Sequence, residues 1–210
     1  MLYLANPCGA AVIDAMQAQQ IGYIDTPAQG NRRPKGVTWC ADNGCFGKGY
    51  PGDEQWLAWL TKNAHAAADC LFATAPDVVG DARATLARSV PWLSKIRELG
   101  YPAALVAQDG LENLDVPWDE FDVLFIGGST EWKLGDAARD LVKEAKARGK
   151  RVHMGRVNSL RRYRYAEAIG CDTVDGTFLT FGPDKNLGRL RGWINNLETQ
   201  PQLDIFGGLA

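Results

Sequence analysis

Apolar runs of two to five residues recur along the chain, separated by longer stretches whose apolar positions repeat at helical spacing. The runs fall near Leu2–Ala5, Gly22–Asp25, Thr38–Ala41, Leu71–Thr74, Ala103–Ala107, Val123–Ile126, Val152–Met154 and Thr173–Val174. The clearest helical stretches are Glu54–Ala67, Asp81–Leu99 and Gly135–Arg148, with another over Ser159–Ile169 and a last one beginning near Asn186. In the second, Leu86, Val90, Leu93 and Ile96 are spaced to put one apolar face on a sheet, and Gly100 and Gly149 sit where helices stop. Strands alternating with helices predict parallel βα units, and eight of them predict an α/β fold, a compact, TIM-like (βα)8 barrel. With 210 residues the chain lies near the lower limit of such barrels, about 200, so several helices must be short or missing. No repeat, low-complexity stretch or linker divides it, and the acidic segment Leu111–Glu120 around Pro117 reads as an ordinary connection. Residues 1–210 are expected to form a single domain.

Polar residues gather where the strands end. Asp42-Asn43-Gly44 follows the third strand, Pro76-Asp77 the fourth and Gln108-Asp109-Gly110 the fifth. Gly127-Gly128-Ser129, Gly155-Arg156 and Asp175-Gly176 follow the last three. Parallel barrels build their sites at this end of the sheet. An aspartate after a strand is more often a helix cap than a catalyst; six such ends converging on one face favour a site.

Composition narrows the chemistry. A hydrophobic fraction of 46% with 23% charged residues belongs to a folded protein. The formal net charge of −2 offers no global attraction to nucleic acid, so any polyanion contact must come from a local patch. Five cysteines, an odd number, and a start (MLYLANP) without a basic leader predict reduced thiols in a cytoplasmic setting, with no membrane association. Cys40 and Cys45 lack paired zinc spacing, and two histidines are too few for a histidine-based centre, so no metal and no cofactor are expected. The apolar segment Leu203–Leu209 is expected to dock on the barrel or on a partner.

The strand ends supply carboxylates, an amide and glycines, but no histidine, and no serine or cysteine with a base nearby. This disfavours acyl transfer. Two carboxylates facing one pocket suit glycosidic-bond chemistry, one acting on the anomeric carbon and the other on the leaving group. Asp77, Gln108 and the Gly127-Gly128 backbone provide acceptors and donors matched to the Watson–Crick edge of guanine. Phe46 and Met154 could sandwich a flat ring, or simply pack in the core.

Five segments carry a resemblance. Ala41-Asp42-Asn43-Gly44-Cys45-Phe46-Gly47 resembles the T-D-S-G-G-[FY]-Q motif of tRNA-guanine transglycosylases, and Val106-Ala107-Gln108-Asp109-Gly110 their V-Q-G-G strand end. Phe125-Ile126-Gly127-Gly128 resembles their G-G element, and Val152-His153-Met154-Gly155 their L-M-G-V-G segment. Gly170-Cys171-Asp172-Thr173-Val174-Asp175 is similar to G-x-D-x-F-D. Their order holds from about Val37 to Thr177. The resemblance implies that Asp175 is the covalent nucleophile and Asp42 the general acid/base. Phe46, Asp77, Gln108, Gly127, Gly128 and Met154 would then contact the base, with Asp81 competing for the role of Asp77.

The family's zinc module and appended RNA-binding domain are missing, and Thr177–Gly182 replaces its arginine-rich segment. A short, zinc-free chain of this pattern looks like the deazapurine DNA-modification transglycosylases (the DpdA family) of phages and bacterial modification systems. That resemblance implies a transferase, specifically a pentosyltransferase, that replaces guanine in single-stranded or opened duplex DNA with a 7-deazaguanine base. Arg156, Arg161 and Arg162, with Arg164 beyond them and Tyr163 and Tyr165 interleaved, would hold the backbone; a solvated helix face accounts for them equally well. Arg32, Arg33 and Lys35 precede the strand that carries Asp42. The alternatives are the same chemistry on tRNA, a non-catalytic modified-base binding module, and a base-excising glycosidase.

Overall fold

In the computed structural model, which describes residues 1–199, the apolar runs are strands of one closed parallel barrel in chain order, β1 to β8. They span Leu2–Ala5 (β1), Gly22–Asp25 (β2), Trp39–Ala41 (β3), Cys70–Thr74 (β4), Ala103–Ala107 (β5), Val123–Ile126 (β6), Arg151–Met154 (β7) and Thr173–Asp175 (β8). The ring closes where β1 pairs with β8, setting Leu4 opposite Asp175. The segment Leu203–Leu209 lies outside the described residues.

Two apolar layers follow from the twofold alternation of strand side chains. Leu4, Ile24, Cys40, Phe72, Ala104, Val106, Val123 and Phe125 form a cluster inside the barrel. Their neighbours, among them Tyr3, Tyr23, Trp39, Leu105, Leu124, Val152, Met154 and Val174, belong to the larger layer between barrel and helices. One more step along the inner parity leads from Cys40 to Asp42, from Val106 to Gln108, from Phe125 to Gly127 and from His153 to Gly155. The strand ends thus deliver the polar residues to the mouth of the barrel.

Seven helices pack outside among the described residues: Ala10–Gln17 (α1), Asp53–Asn63 (α2), Ala82–Glu98 (α3), Thr130–Lys133 (α4), Asp136–Ala147 (α5), Leu160–Ala168 (α6) and Pro183–Thr199 (α7). The economy expected of so short a barrel is visible in α4, a single turn, and in the β2–β3 connection, which has no helix. The helical stretch over Glu54–Ala67 is divided, α2 giving way to a 3₁₀ segment at Ala64–Asp69. The spacing of apolar residues does not predict α1.

Helix α3 corrects the expected apolar face. Leu93 and Ile96 are buried, but Val90 is 36% exposed. The inward positions are taken instead by Thr85 and Ser89. Ser89 Oγ donates to the Pro76 carbonyl at 2.7 Å, while Thr85 Oγ1 accepts from the Val78 N–H and donates to its carbonyl, each at 3.0 Å. Small hydroxyls thus satisfy the backbone just beyond β4, and the helix rotates away from its most hydrophobic orientation.

This register predicts different costs for two truncations of the same helix. Leu93→Ala should lose about 2–5 kcal/mol in urea unfolding, whereas Val90→Ala should stay within about 0.5 kcal/mol of the parent. Comparable losses would place Val90 in the core.

Candidate active site

A cavity of about 580 Å³ opens at the C-terminal ends of the strands. Asp42, Phe46, Asp77, Gln108, Gly127, Gly128, Arg156, Arg162 and Asp175 all line it. Most of the residues singled out in sequence are therefore brought together. Met154 and Arg161 are not among the lining residues. Met154 is fully buried in the layer between barrel and helices. Its odd position relative to the inward-facing His153 turns it away from the mouth, so it is core packing and not one side of a ring sandwich. Phe46 takes the opposite place: it is 66% exposed at the cavity rim.

Asp175 is 9% exposed and closely held. Its Oδ2 faces His153 Nε2 at 2.9 Å, and its Oδ1 accepts the Arg156 backbone N–H at 2.9 Å. Burial pushes the Asp175 carboxyl up. The hydrogen bond and charge of His153, the Arg156 N–H and the Lys133 ammonium outweigh that push and hold it below the ordinary carboxylate range. His153 itself is wholly buried, in contact with the rings of Phe72 and Phe125, and its Nδ1 lies 2.8 Å from Thr173 Oγ1.

Two backbone features bring these groups together. Arg156 is in the left-handed region, with φ of 61°, a strained conformation for any residue that carries a Cβ. That turn aims its N–H at Asp175 while its guanidinium Nη2 donates to the carbonyls of Gly127, at 3.0 Å, and Gly128. Gly155 precedes it. A Cβ there would press on the Phe125 ring at 2.9 Å and reach Asp175 Oδ2 only at an ordinary 3.5 Å, so it is the packing of Phe125 that favours glycine.

Asp42 is half-buried in the cavity lining, and among the described residues its side chain accepts only the Gly44 N–H, at 2.7 Å. Burial pushes its carboxyl up. The Gly44 N–H opposes this, the charges of Asp175 and Asp77 reinforce it, and the result is about 7. Near neutral pH, Asp42 can therefore hold or release a proton while Asp175 stays ionised.

A third group of residues forms the far wall. Asp77 is buried and accepts from Asn43 Nδ2 at 3.0 Å and from Gln108 Nε2 at 2.8 Å. Burial still raises its carboxyl above the ordinary value against those bonds. Asp81, its competitor in the sequence, is an exposed N-cap of α3 that accepts the Ala84 N–H at 2.9 Å. The structure thus separates the two: Asp77 faces the cavity and Asp81 caps a helix.

Gly127 and Gly128 line the cavity but do not offer the free donors expected of them. Gly127 N–H donates to the Ala107 carbonyl at 3.0 Å and Gly128 N–H to Gln108 Oε1 at 3.2 Å. Their small size is what matters. A Cβ on Gly128, whose φ is +44°, would stand 2.3 Å from the Trp132 ring. Gln108 Oε1 also accepts the Gly80 N–H at 3.0 Å, so this amide ties three loops together and its second Nε2 hydrogen remains for a ligand.

The arginines differ from the expected backbone clamp. Arg156 lies within the cavity, its guanidinium 4.6 Å from the Phe46 ring centroid. Arg162 supports it, Nη1 donating to the Arg156 carbonyl at 3.2 Å, whereas Arg161 is exposed on α6. Three further residues of the site are not singled out by the sequence pattern. His153 could have been found by parity, lying two before Gly155 on the inner face. Asn43 sits inside the Asp42 segment and orients Asp77. Lys133 is fully buried on α4, donating from Nζ to the Gly155 carbonyl at 2.7 Å. Burial, then the neighbouring Arg156 charge, lowers its ammonium to about 7 against the pull of Asp175. No sequence signal marks it.

Among the described residues the five cysteines are free thiols, and no group of three or more His, Cys, Asp or Glu is placed to hold a metal ion. No helix there is long and apolar enough to cross a membrane.

The fold and site define a class: an eight-stranded parallel barrel with a carboxylate-lined cavity at its C-terminal mouth. Among solved structures, dihydrodipicolinate synthase from Bacillus clausii matches with a TM-score of 0.56 and 11% identity, over 94% of this chain and 75% of that one. Oxaloacetate acetylhydrolase in complex with its product oxalate matches with a TM-score of 0.52 and 16% identity, over 98% and 85% of the two chains. At these identities the likeness is one of fold. A scan against protein-family models and a search of curated proteins give no match.

The raised Asp42 carboxyl has a consequence for stability. Between its unfolded value and about pH 7 the folded state holds a proton that the unfolded chain has released. Stability must then fall as pH rises through that window. Asp42→Asn removes this dependence, so the melting temperature of the variant relative to the parent should climb from about pH 5 to about pH 8. A difference independent of pH would mean an ordinary carboxyl.

Proposed function

We propose that this chain is an enzyme, a DNA guanine transglycosylase that exchanges guanine for a 7-deazaguanine base through a covalent sugar–aspartyl intermediate. The observation that carries the reading is the pair of carboxyls facing one cavity with opposite proton preferences, Asp175 held ionised and Asp42 held near 7. Environments that push two carboxyls apart assign nucleophile and acid.

In the first half-reaction a carboxylate oxygen of Asp175 attacks C1′ of the nucleotide. The C1′–N9 bond breaks, its electron pair leaves with the base, and Asp42 gives that base its proton. In the second, Asp42, now ionised, takes the N9 proton of the incoming base. N9 attacks C1′ and Asp175 departs as a carboxylate. Two inversions give net retention, and each group returns to its starting protonation state. His153 and the Arg156 N–H hold Asp175 in position. Asp77, supported by Asn43 and Gln108, can accept from the guanine ring N–H and amine, while Phe46 covers one face of the ring at the rim.

The choice of DNA over tRNA rests on the resemblance and on a barrel with few loops for opening paired nucleic acid. Extruding a nucleotide costs a few kcal/mol in a duplex, so single-stranded DNA should react faster than duplex.

Kinetics of labelled-guanine exchange test the assignment. Asp175→Ala should lose exchange by several orders of magnitude with the fold intact. Asp42→Asn should lose roughly 10²–10⁴-fold and flatten the fall in rate that the parent shows as pH rises past about 7. Near-normal turnover of the Asp175 variant would overturn the mechanism. Faster exchange in a tRNA stem-loop than in any DNA oligonucleotide would reassign the polymer.

A further inference from the structure

A second cavity, about 560 Å³, lies on the other side of the connection between β2 and β3. That connection separates the two cavities: Thr26 and Ala28 line the catalytic one, while Gln29 and residues from Asn31 to Val37 line the second. A hydrogen bond joins them directly, because Asn6 Nδ2 on the catalytic side donates to Gln29 Oε1 at 3.1 Å. The basic run that precedes β3 therefore faces this second cavity and not the first.

Its wall is built around Arg33. The guanidinium lies over Trp39, its Cζ 3.5 Å from the ring centroid, and Nη1 pairs with Asp25 Oδ2 at 2.7 Å. Both supports are themselves nearly buried, so the guanidinium is fixed before any ligand arrives. Its Nε and Nη2 groups make no hydrogen bond within the described residues, and no buried side-chain nitrogen there lacks a partner. Those donors thus open onto the cavity. Asp25 balances the charge of Arg33, and Arg32, Lys35 and Lys62 add three cations against the single carboxylate of Asp69.

We propose that this cavity binds phosphodiester groups of the DNA strand whose base enters the catalytic pocket. The inference rests on the transglycosylase reading for the identity of the polymer. A preorganised arginine fork with open donors, ringed by mobile lysine and arginine charges, recognises phosphate oxygens without reading sequence. The Asn6–Gln29 bond offers a path by which a strand held here would steady the rim of the catalytic pocket.

The test measures binding of a fluorescent single-stranded oligodeoxynucleotide across a salt series by the parent and by the combined Arg32→Ala, Lys35→Ala, Lys62→Ala variant. A control variant carries Lys95→Ala, Lys143→Ala and Arg151→Ala, three exposed cations outside both cavities. The cavity variant should bind about tenfold or more weakly at low salt, with a salt slope shallower by about 2, while the control changes little. Binding of free guanine should be the same in all three proteins. Equal weakening in the two variants, unchanged binding in the cavity variant, or no binding by the parent would overturn the proposal. Tighter binding of an RNA of the same sequence would overturn its assignment to DNA. Guanine exchange by the parent is measured in parallel. Its absence alongside cavity-dependent DNA binding would remove the transglycosylase reading and leave the strand site standing.

Discussion

Burying a carboxylate costs its solvation unless hydrogen bonds and charges replace it, and the site is organised around two carboxyl groups that receive very different compensation. Asp175 receives nearly all the compensation: the His153 ring, the Arg156 N–H and the Lys133 ammonium. Asp42 receives one N–H from Gly44. Burial therefore leaves the proton on Asp42, reinforced by the charges of Asp175 and Asp77, and the negative charge on Asp175. Several otherwise odd features follow from keeping that asymmetry. Arg156 adopts a left-handed backbone that turns its N–H inward, and an ammonium is buried on a one-turn helix.

The opposite wall follows a different rule. Asp77, Asn43 and Gln108 are buried polar groups, and each is fixed by bonds to others or to the backbone. Such a network is rigid, because releasing any member would leave a buried donor or acceptor unpaired. Asp77 also accepts from the Cys45 thiol, and its carboxylate keeps acceptor capacity beyond these three donors, which lets it meet a ligand without first giving up a bond. The cavity thus has one wall tuned by charge and another by hydrogen-bond geometry. Phe46 and the Arg156 guanidinium meet at its rim.

The strands are legible in the sequence because short apolar runs, each closed by a polar end and followed by a helical stretch, suit buried parallel strands and little else. Ala103–Ala107 and Val123–Ile126 agree with the structure residue for residue. The residues lining the cavity are legible for the same reason, since a barrel brings its strand ends together whatever the chain between them does. What stays hidden depends on direction. Met154 and His153 are neighbours in a recognisable segment, yet only the inward parity of one brings it against Asp175. Val90 fits the core by helical spacing, but hydroxyl groups on Thr85 and Ser89 satisfy the loop above them and set a different face inward. Arg156 has the sequence position of a phosphate contact, but its guanidinium direction is decided by a backbone turn that no residue pattern announces. Lys133 and the second cavity arise from contacts between segments far apart in sequence.

In the proposed mechanism Asp175 becomes covalently joined to the sugar, a bond that quenching followed by peptide mass spectrometry detects. The protein would be incubated with a guanine-containing single-stranded oligonucleotide in the absence of an incoming base, then denatured and digested. The account predicts a nucleotide adduct on the peptide bearing Asp175, absent in Asp175→Asn and discharged when a 7-deazaguanine base is added before the quench. An adduct on another residue, or base exchange proceeding with no trapped adduct at all, would contradict it.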